Sequence, residues 1–233
     1  MKLLNIIEIK AKLVLQTGLH IGAGGNEMHI GGIDNSVIKH PITQSPYIPG
    51  SSLKGKIRSL LEWRSGEVNA TPLNLEDLKN AKNSQAVEVI LKLFGVSGDA
   101  KKDDEQLQDI GVSRLAFWDC GLNQEWESRI REDNLLLTEA KSENTINRIT
   151  ATAENPRQTE RVPAGAEFDF KLMLRQFDGD NEELLAAVLA GLKLLELDSL
   201  GGSGSRGYGK VKFTELTIDG KTETLDGIDP FKL

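Results

Sequence analysis

Glu167-Phe168-Asp169-Phe170-Lys171-Leu172-Met173-Leu174-Arg175 sets Phe168, Phe170, Leu172 and Leu174 on one side of an extended chain and Glu167, Asp169, Lys171 and Arg175 on the other. A period of two marks a strand with one buried face. The same period runs from Ile7 to Gln16, where Ile7, Ile9, Ala11, Leu13 and Leu15 alternate with mostly polar residues. Arg114 to Cys120 and Lys210 to Ile218 read as two further strands. Helical spacing joins Leu53, Ile57, Leu60, Leu61 and Arg64, after a Tyr47-to-Ser52 turn whose serines suit helix capping. A second helix spans Leu184 to Leu197; Asp180 is its expected cap, with Glu182 and Glu183 in the first turn where the dipole favours carboxylates.

The resulting order is strand, helix, strand, strand, helix, strand, the order of a split βαβ unit. The expected fold class is α+β: a ferredoxin-like or RRM-like βαββαβ core with large insertions. Core segments fall at about 3–16, 52–65, 112–120, 167–176, 180–198 and 209–218, and insertions at 17–50, 66–111 and 121–166. Val87, Ile90, Leu91 and Phe94 mark a helix stopped by Gly95 within the second insertion, and 98–111 reads as a mobile loop. The third is far too long for a hairpin loop and is therefore an elaboration with a role of its own. RNA-recognition modules stack bases on sheet aromatics. The first strand here has no aromatic residue, and Phe168, Phe170 and Phe213 fall at core positions, so sheet-surface stacking is not expected.

Function is most legible between the second helix and the last strand. Asp198-Ser199-Leu200-Gly201-Gly202-Ser203-Gly204-Ser205-Arg206-Gly207-Tyr208-Gly209-Lys210-Val211 holds five glycines, two serines and one arginine between Gly201 and Gly209. Glycines at positive φ expose N–H groups that can nest a phosphate, and Arg206 adds a forked cation. The alternative is a helix C-cap at Gly201 running into a turn. The start of the first helix, with Lys54, Lys56 and Arg58 beside free N–H groups, is a second candidate anion site, set against an ordinary solvated face. His20 and Asp34 are the reactive side chains of the glycine-rich first insertion.

The formal charge of −7 excludes a generally basic nucleic-acid binder, yet it hides a segregation. Residues 39–64 carry five bases against one acid, whereas 99–140 carry eleven acids against five bases. A single cysteine, Cys120, excludes an internal disulfide and, with three histidines, a cysteine-rich zinc site. Glu8, Lys10 and Lys12 interrupt the only apolar start, and no stretch is long enough to span a bilayer. A cytoplasmic protein with no membrane partner is expected.

Pro49-Gly50-Ser51-Ser52-Leu53-Lys54-Gly55-Lys56-Ile57-Arg58, Leu93-Phe94-Gly95 and the Gly201–Val211 loop resemble the RAMP superfamily of CRISPR-associated proteins. Thr17-Gly18-Leu19-His20-Ile21-Gly22, Gly32-Ile33-Asp34-Asn35-Ser36-Val37-Ile38-Lys39 and Glu143-Asn144-Thr145-Ile146-Asn147-Arg148-Ile149-Thr150-Ala151 narrow the resemblance to the repeated backbone subunit of type III-A (Csm) effector complexes. The resemblance implies a helical filament of copies along a CRISPR guide RNA, with other Csm subunits, that cleaves complementary target RNA at regular intervals. It places the cleaving aspartate at Asp34, which would also be the candidate metal ligand for a divalent cation, magnesium or manganese. Guide-RNA contacts would come from His20, Ser51, Ser52, Lys54, Lys56, Arg58, Gly202, Ser203, Gly204, Ser205, Arg206, Gly207 and Tyr208. The 121–166 insertion would be a thumb entering the guide–target duplex, with Asn144, Arg148 and Arg157 as its contacts. Two other readings remain at this point: a non-catalytic guide-binding filament subunit, and an endonuclease that processes CRISPR precursor RNA.

Overall fold

The computed structural model describes residues 1–24, 33–96 and 109–232. The part of the first insertion at 25–32 and most of the expected 98–111 loop therefore lie outside the described residues. In chain order the elements are β1 (Leu3–Leu15), β2 (Tyr47–Ile48), α1 (Gly50–Ser65), α2 (Leu75–Asn80), α3 (Ser84–Phe94), β3 (Leu115–Phe117) and β4 (Cys120–Gly121). After them come α4 (Gln124–Glu132), β5 (Glu139–Ile146), β6 (Ala153–Arg161), β7 (Glu167–Phe177), α5 (Glu183–Leu197), β8 (Val211–Ile218) and β9 (Lys221–Thr222).

Five strands form one antiparallel sheet of order β3-β7-β1-β8-β9. Its register sets Ile9 opposite Leu172, Ala11 opposite Phe170 and Leu13 opposite both Phe168 and Phe213, so the alternation in sequence becomes one apolar face. Helices α1, α3 and α5 cover that face. At the α1–α5 crossing a Cβ on Gly191 would lie 2.7 Å from Ile57 Cγ2, so only glycine lets these helices approach so closely. Phe168, Phe170 and Phe213 are buried, as expected of core positions. The opposite face is a lattice of ion pairs, with Lys12 to Glu215 at 3.0 Å and Lys171 to Glu8 at 2.8 Å. No helix among the described residues is long and apolar enough to cross a membrane.

Several local expectations are corrected. The strand expected over Arg114–Cys120 splits, because Asp119 turns out of the sheet to accept the Gly50 N–H at 2.7 Å; Cys120 and Gly121 then pair with β2. Pro49, not a serine, caps α1, and no side-chain cap is made by Ser51 or Ser52, which lie inside the first turn. Asp180 does not cap α5, whose N-cap is Glu182. Its carboxylate instead holds Arg114 through Nε and Nη2 at 3.2 and 3.0 Å and accepts the Phe177 N–H. α2 arises from an Asn74–Asp77 capping box in a segment that reads only as polar, while α3 ends at Gly95 as its sequence indicates. The long third insertion contains α4 and a two-stranded β5–β6 hairpin.

Candidate nucleic-acid interface

Three segments converge beside the base of the β5–β6 hairpin. Leu19 and Val162 exchange both backbone hydrogen bonds, at 2.9 and 2.8 Å. Ile38 N–H donates to the Ile21 carbonyl at 2.8 Å, and Glu160 N–H donates to the Asn35 carbonyl at 2.9 Å. Asp34 is exposed on this junction, where its Oδ2 accepts the Gln158 N–H at 2.8 Å. Its Oδ1 has no donor among the described residues. Among the described residues the carboxylate is thus fixed by one oxygen and open at the other.

The junction is fastened by Glu160, which is 4% exposed. One oxygen accepts Lys39 Nζ at 2.5 Å and the Thr138 hydroxyl at 2.6 Å; the other accepts the Val37 N–H at 2.9 Å. Burial pushes this carboxyl up, but the hydrogen bonds from Lys39, Thr138 and Val37, with the Lys39 charge, outweigh it and hold the group below its ordinary value. The Glu160 carbonyl accepts His20 Nδ1 at 2.7 Å, which leaves Nε2 as the open ring nitrogen. Sequence reasoning misses Glu160 and Lys39 as a pair. A glutamate in a polar strand has no local signature, and its partner is 121 residues away.

The glycine-rich loop packs on this junction. Gly202 N–H donates to the His20 carbonyl and Gly209 N–H to the Gly18 carbonyl, both at 2.9 Å. Gly201 and Gly209 have φ of +74° and +72°, and a Cβ on them would lie 2.4 Å from the His20 oxygen and 1.9 Å from the Leu200 oxygen. Those two glycines serve close backbone approach rather than ligand access, and the helix before them is capped at Asp198, not Gly201. The N–H groups of Ser203, Gly204 and Ser205 have no acceptor among the described residues, so the open donors lie at the short 3-10 turn over Gly204–Arg206. Arg206 is exposed and pairs with Glu143 of β5 at 3.2 Å. Gly207 is exposed, whereas Tyr208 is buried and donates its hydroxyl to Glu143 at 3.0 Å. Burial pushes the Glu143 carboxyl up, but the Tyr208 hydrogen bond, then the charges of Arg206 and Lys141, outweigh it and hold the group below its ordinary value.

At the start of α1 the five polar candidates separate. Ser51 is exposed and Ser52 half-buried. Lys54 is half-buried with no partner among the described residues, and burial, then the charge of Arg58, pulls its ammonium pKa down. Lys56 pairs with Asp198 at 2.6 Å, which ties α1 to the foot of the glycine-rich loop and so joins the two candidate phosphate sites. Arg58 turns inward, giving Nε to Glu62 at 2.8 Å, Nη1 to the Gly95 carbonyl at 3.2 Å and Nη2 to the Leu73 carbonyl at 2.6 Å. In the RNA-free chain its guanidinium is thus engaged from within, by one carboxylate and two carbonyls.

The hairpin carries Asn144, Arg148 and Arg157, all exposed; Arg157 directly precedes Gln158, whose N–H holds Asp34. Asn144 lies at a register shift between Glu143 and Thr145. Asn147 holds the tip by accepting the Ile149 and Thr150 N–H groups, which leaves Ile149 95% exposed. An apolar side chain in open solvent at a hairpin tip suits insertion between stacked groups. Its sequence signal is only an isoleucine within a polar turn.

A family model described as the RAMP superfamily matches residues 12–212. The chain is 44% identical over 216 residues to a protein of Streptococcus thermophilus named CRISPR system Cms endoribonuclease Csm3, covering 90% of this chain and 88% of that one. A protein of the same name from Methanothermobacter thermautotrophicus is 39% identical over 222 residues, covering 90% and 84%. A solved Csm3–Csm4 subcomplex of the type III-A CRISPR-Cas interference complex contains a similar chain, with a TM-score of 0.56, 28% identity and coverage of 94% and 80%.

Proposed function

The chain belongs to the RAMP superfamily, and from that premise we propose that it is the backbone subunit of a type III-A CRISPR interference complex. It binds a guide RNA and cuts the target RNA paired with it at regular intervals. Relatives named as the endoribonuclease Csm3, at 39–44% identity over most of the chain, support both halves of this reading. The observation that carries the cleaving half is Asp34, a carboxylate fixed through Oδ2 and open at Oδ1. RNA brings its own nucleophile. The open oxygen accepts the proton of a ribose 2′-OH, the 2′ oxygen attacks the adjacent phosphorus to close a 2′,3′-cyclic phosphate, and the bond to the 5′ oxygen breaks in line, that oxygen taking a proton from water.

A divalent cation suits Asp34 as a lone ligand rather than a cage. Magnesium keeps most of its waters and uses one or two carboxylates plus substrate phosphates, and no three His, Cys, Asp or Glu side chains converge among the described residues. If magnesium or manganese is held at Oδ1, Asp34 serves as its ligand instead of as the base, and the cation would supply neutralisation of the phosphate charge. The guide backbone follows the open N–H groups at Ser203–Ser205, Arg206 and the α1 start, while the hairpin tip enters the duplex. We also read the core as ferredoxin-like, supported by the order β3-β7-β1-β8 and by α1 and α5 packing together on one face. Further copies and other Csm subunits are the protein partners, and a head-to-tail contact that does not close gives an open filament.

The test is Asp34→Ala in the complex assembled with its guide. Target cleavage should fall by about 10²- to 10⁴-fold, the usual loss with a general base, while guide binding and target pairing stay unchanged. Cutting at the wild-type rate and positions would leave only a structural guide-binding subunit.

A further inference from the structure

Tyr208 belongs to the glycine-rich loop, but its side chain enters the base of the β5–β6 hairpin and is 1% exposed. Two cations on different strands flank its ring: Lys141 Nζ of β5 lies 4.4 Å from the centroid and Arg161 Cζ of β6 lies 5.1 Å from it. The hydroxyl donates to Glu143 Oε1 at 3.0 Å, and Glu143 Oε2 receives Arg206 Nε at 3.2 Å. Arg161 reaches the ring across Gly18, where a Cβ would lie 2.5 Å from the arginine Cδ. Packing alone would be met by a leucine at 208. The ring between two cations and the bonded hydroxyl instead join the loop to both strands of the hairpin.

We propose that Tyr208 is a positioning residue for target cleavage: it latches the guide-holding loop to the hairpin, so that the hairpin enters the duplex at a fixed distance from the guide phosphate at Arg206. The proposal rests on the guide-binding reading given above. Strand β6 also supplies the Gln158 N–H that holds Asp34 and the Glu160 carbonyl that holds His20, so the latch fixes which target linkage meets Asp34. A phosphate that takes Arg206 from Glu143 leaves Glu143 bound to the tyrosine hydroxyl. The latch therefore survives loading of the guide.

Tyr208→Leu removes both the ring and the hydroxyl, and Tyr208→Phe removes the hydroxyl alone. In the free chain, hydrogen exchange of the amides in β5 and β6 should rise about tenfold in the leucine variant while β1 and β7 stay as in wild type. In the assembled complex the leucine variant is compared with wild type at equal guide occupancy. Its cuts should spread onto neighbouring linkages and slow about 10- to 100-fold, since a misplacement of 1 Å costs that much. Phenylalanine should restore the positions and most of the rate. Wild-type exchange in the hairpin of the leucine variant, or sharp cuts at wild-type positions, would overturn the latch. Should the leucine variant not fold, Lys141→Ala, which takes one cation from the ring, decides: faster hairpin exchange supports the latch and unchanged exchange overturns it. A wild-type complex that leaves target RNA uncut would sink the cleavage reading instead, and hairpin exchange would still decide the latch.

Discussion

Behind the sheet, Phe170 and Phe213 meet edge to face with ring centroids 5.0 Å apart, and Ile57 of α1 packs over Gly191 of α5. On the loop side, Val37, Lys39 and Thr138 meet on the carboxylate of Glu160, and Gln158 holds Asp34. The first region is apolar area, which is non-directional and fails by degrees when a side chain is trimmed. The second is a set of charge-assisted hydrogen bonds, all but that of Thr138 between residues more than a hundred positions apart, which fails when one partner is removed and depends on pH. The helix side therefore gives a rigid base, and the loop side gives a site whose shape one proton or one phosphate can alter.

The largest effect should come where that division is violated. Arg114 and Asp180 form an ion pair behind the sheet with side chains 4% and 3% exposed, and the arginine also donates to the Ile110 and Val112 carbonyls. Asp180→Ala leaves a buried guanidinium with carbonyl partners but no counter-charge, and should cost about 3–5 kcal/mol in chemical denaturation, as removal of one member of a buried pair does. Leu172→Ala, a pure cavity in the same layer, should cost about 2–5 kcal/mol. A loss under about 1 kcal/mol for Asp180→Ala would mean the pair is hydrated and that charge does not anchor the helix side.

This division also decides what the sequence reveals. The alternation at 7–16 and 167–175 and the helical spacing at 53–64 translate directly into β1, β7 and α1, because local period and burial are the same fact in a two-layer fold. Asp34, His20 and the glycine-rich loop are visible as residue types that a core does not require. Glu160 is not visible, since nothing near it differs from any solvated strand. Nor does sequence separate Lys54, Lys56 and Arg58, which share a helix start and diverge only through partners at Asp198, Glu62, Leu73 and Gly95. Asp119 and Asp180 show the same limit from the other side. Asp119 reads as part of a strand and Asp180 as a helix cap, and each serves an element more than 60 positions away.

A smaller effect should come from the Glu160 clasp. Glu160→Gln keeps the shape but loses the charge that draws Lys39, Thr138 and the Val37 N–H, and should cost about 1–3 kcal/mol at neutral pH, the range for hydrogen bonds to a charged group. The folded-state pKa of Glu160 lies below its ordinary 4.5. Its contribution is therefore complete above about that value and is lost as pH falls through the lower, folded-state value. Stability measured from pH 7 to pH 3 should show the gap between wild type and Glu160→Gln closing below pH 4.5. A gap that is constant with pH would show that shape, not charge, holds the loop side.

The smallest effect sharpens the comparison within one helix. Lys54 and Arg58 stand one turn apart on α1, yet Lys54 lacks a partner among the described residues and Arg58 has all three of its donor nitrogens engaged. Only a cation free to meet a phosphate releases counterions on binding, and each such contact adds about 0.7 to the log–log salt slope for single-stranded RNA. Lys54→Ala should therefore flatten the slope for a guide-length RNA by about 0.7. Arg58→Ala should leave the slope unchanged and lower thermal stability instead, because it strips Glu62 of its partner. Lys56 and Arg206 should fall between the two: each already pairs with a carboxylate, Asp198 or Glu143, so a phosphate must displace an acid that then regains its own counterion. Equal flattening by Lys54→Ala and Arg58→Ala would mean that Arg58 leaves Glu62 when RNA binds, and that the start of α1 belongs to the adjustable side of the molecule rather than to its rigid one.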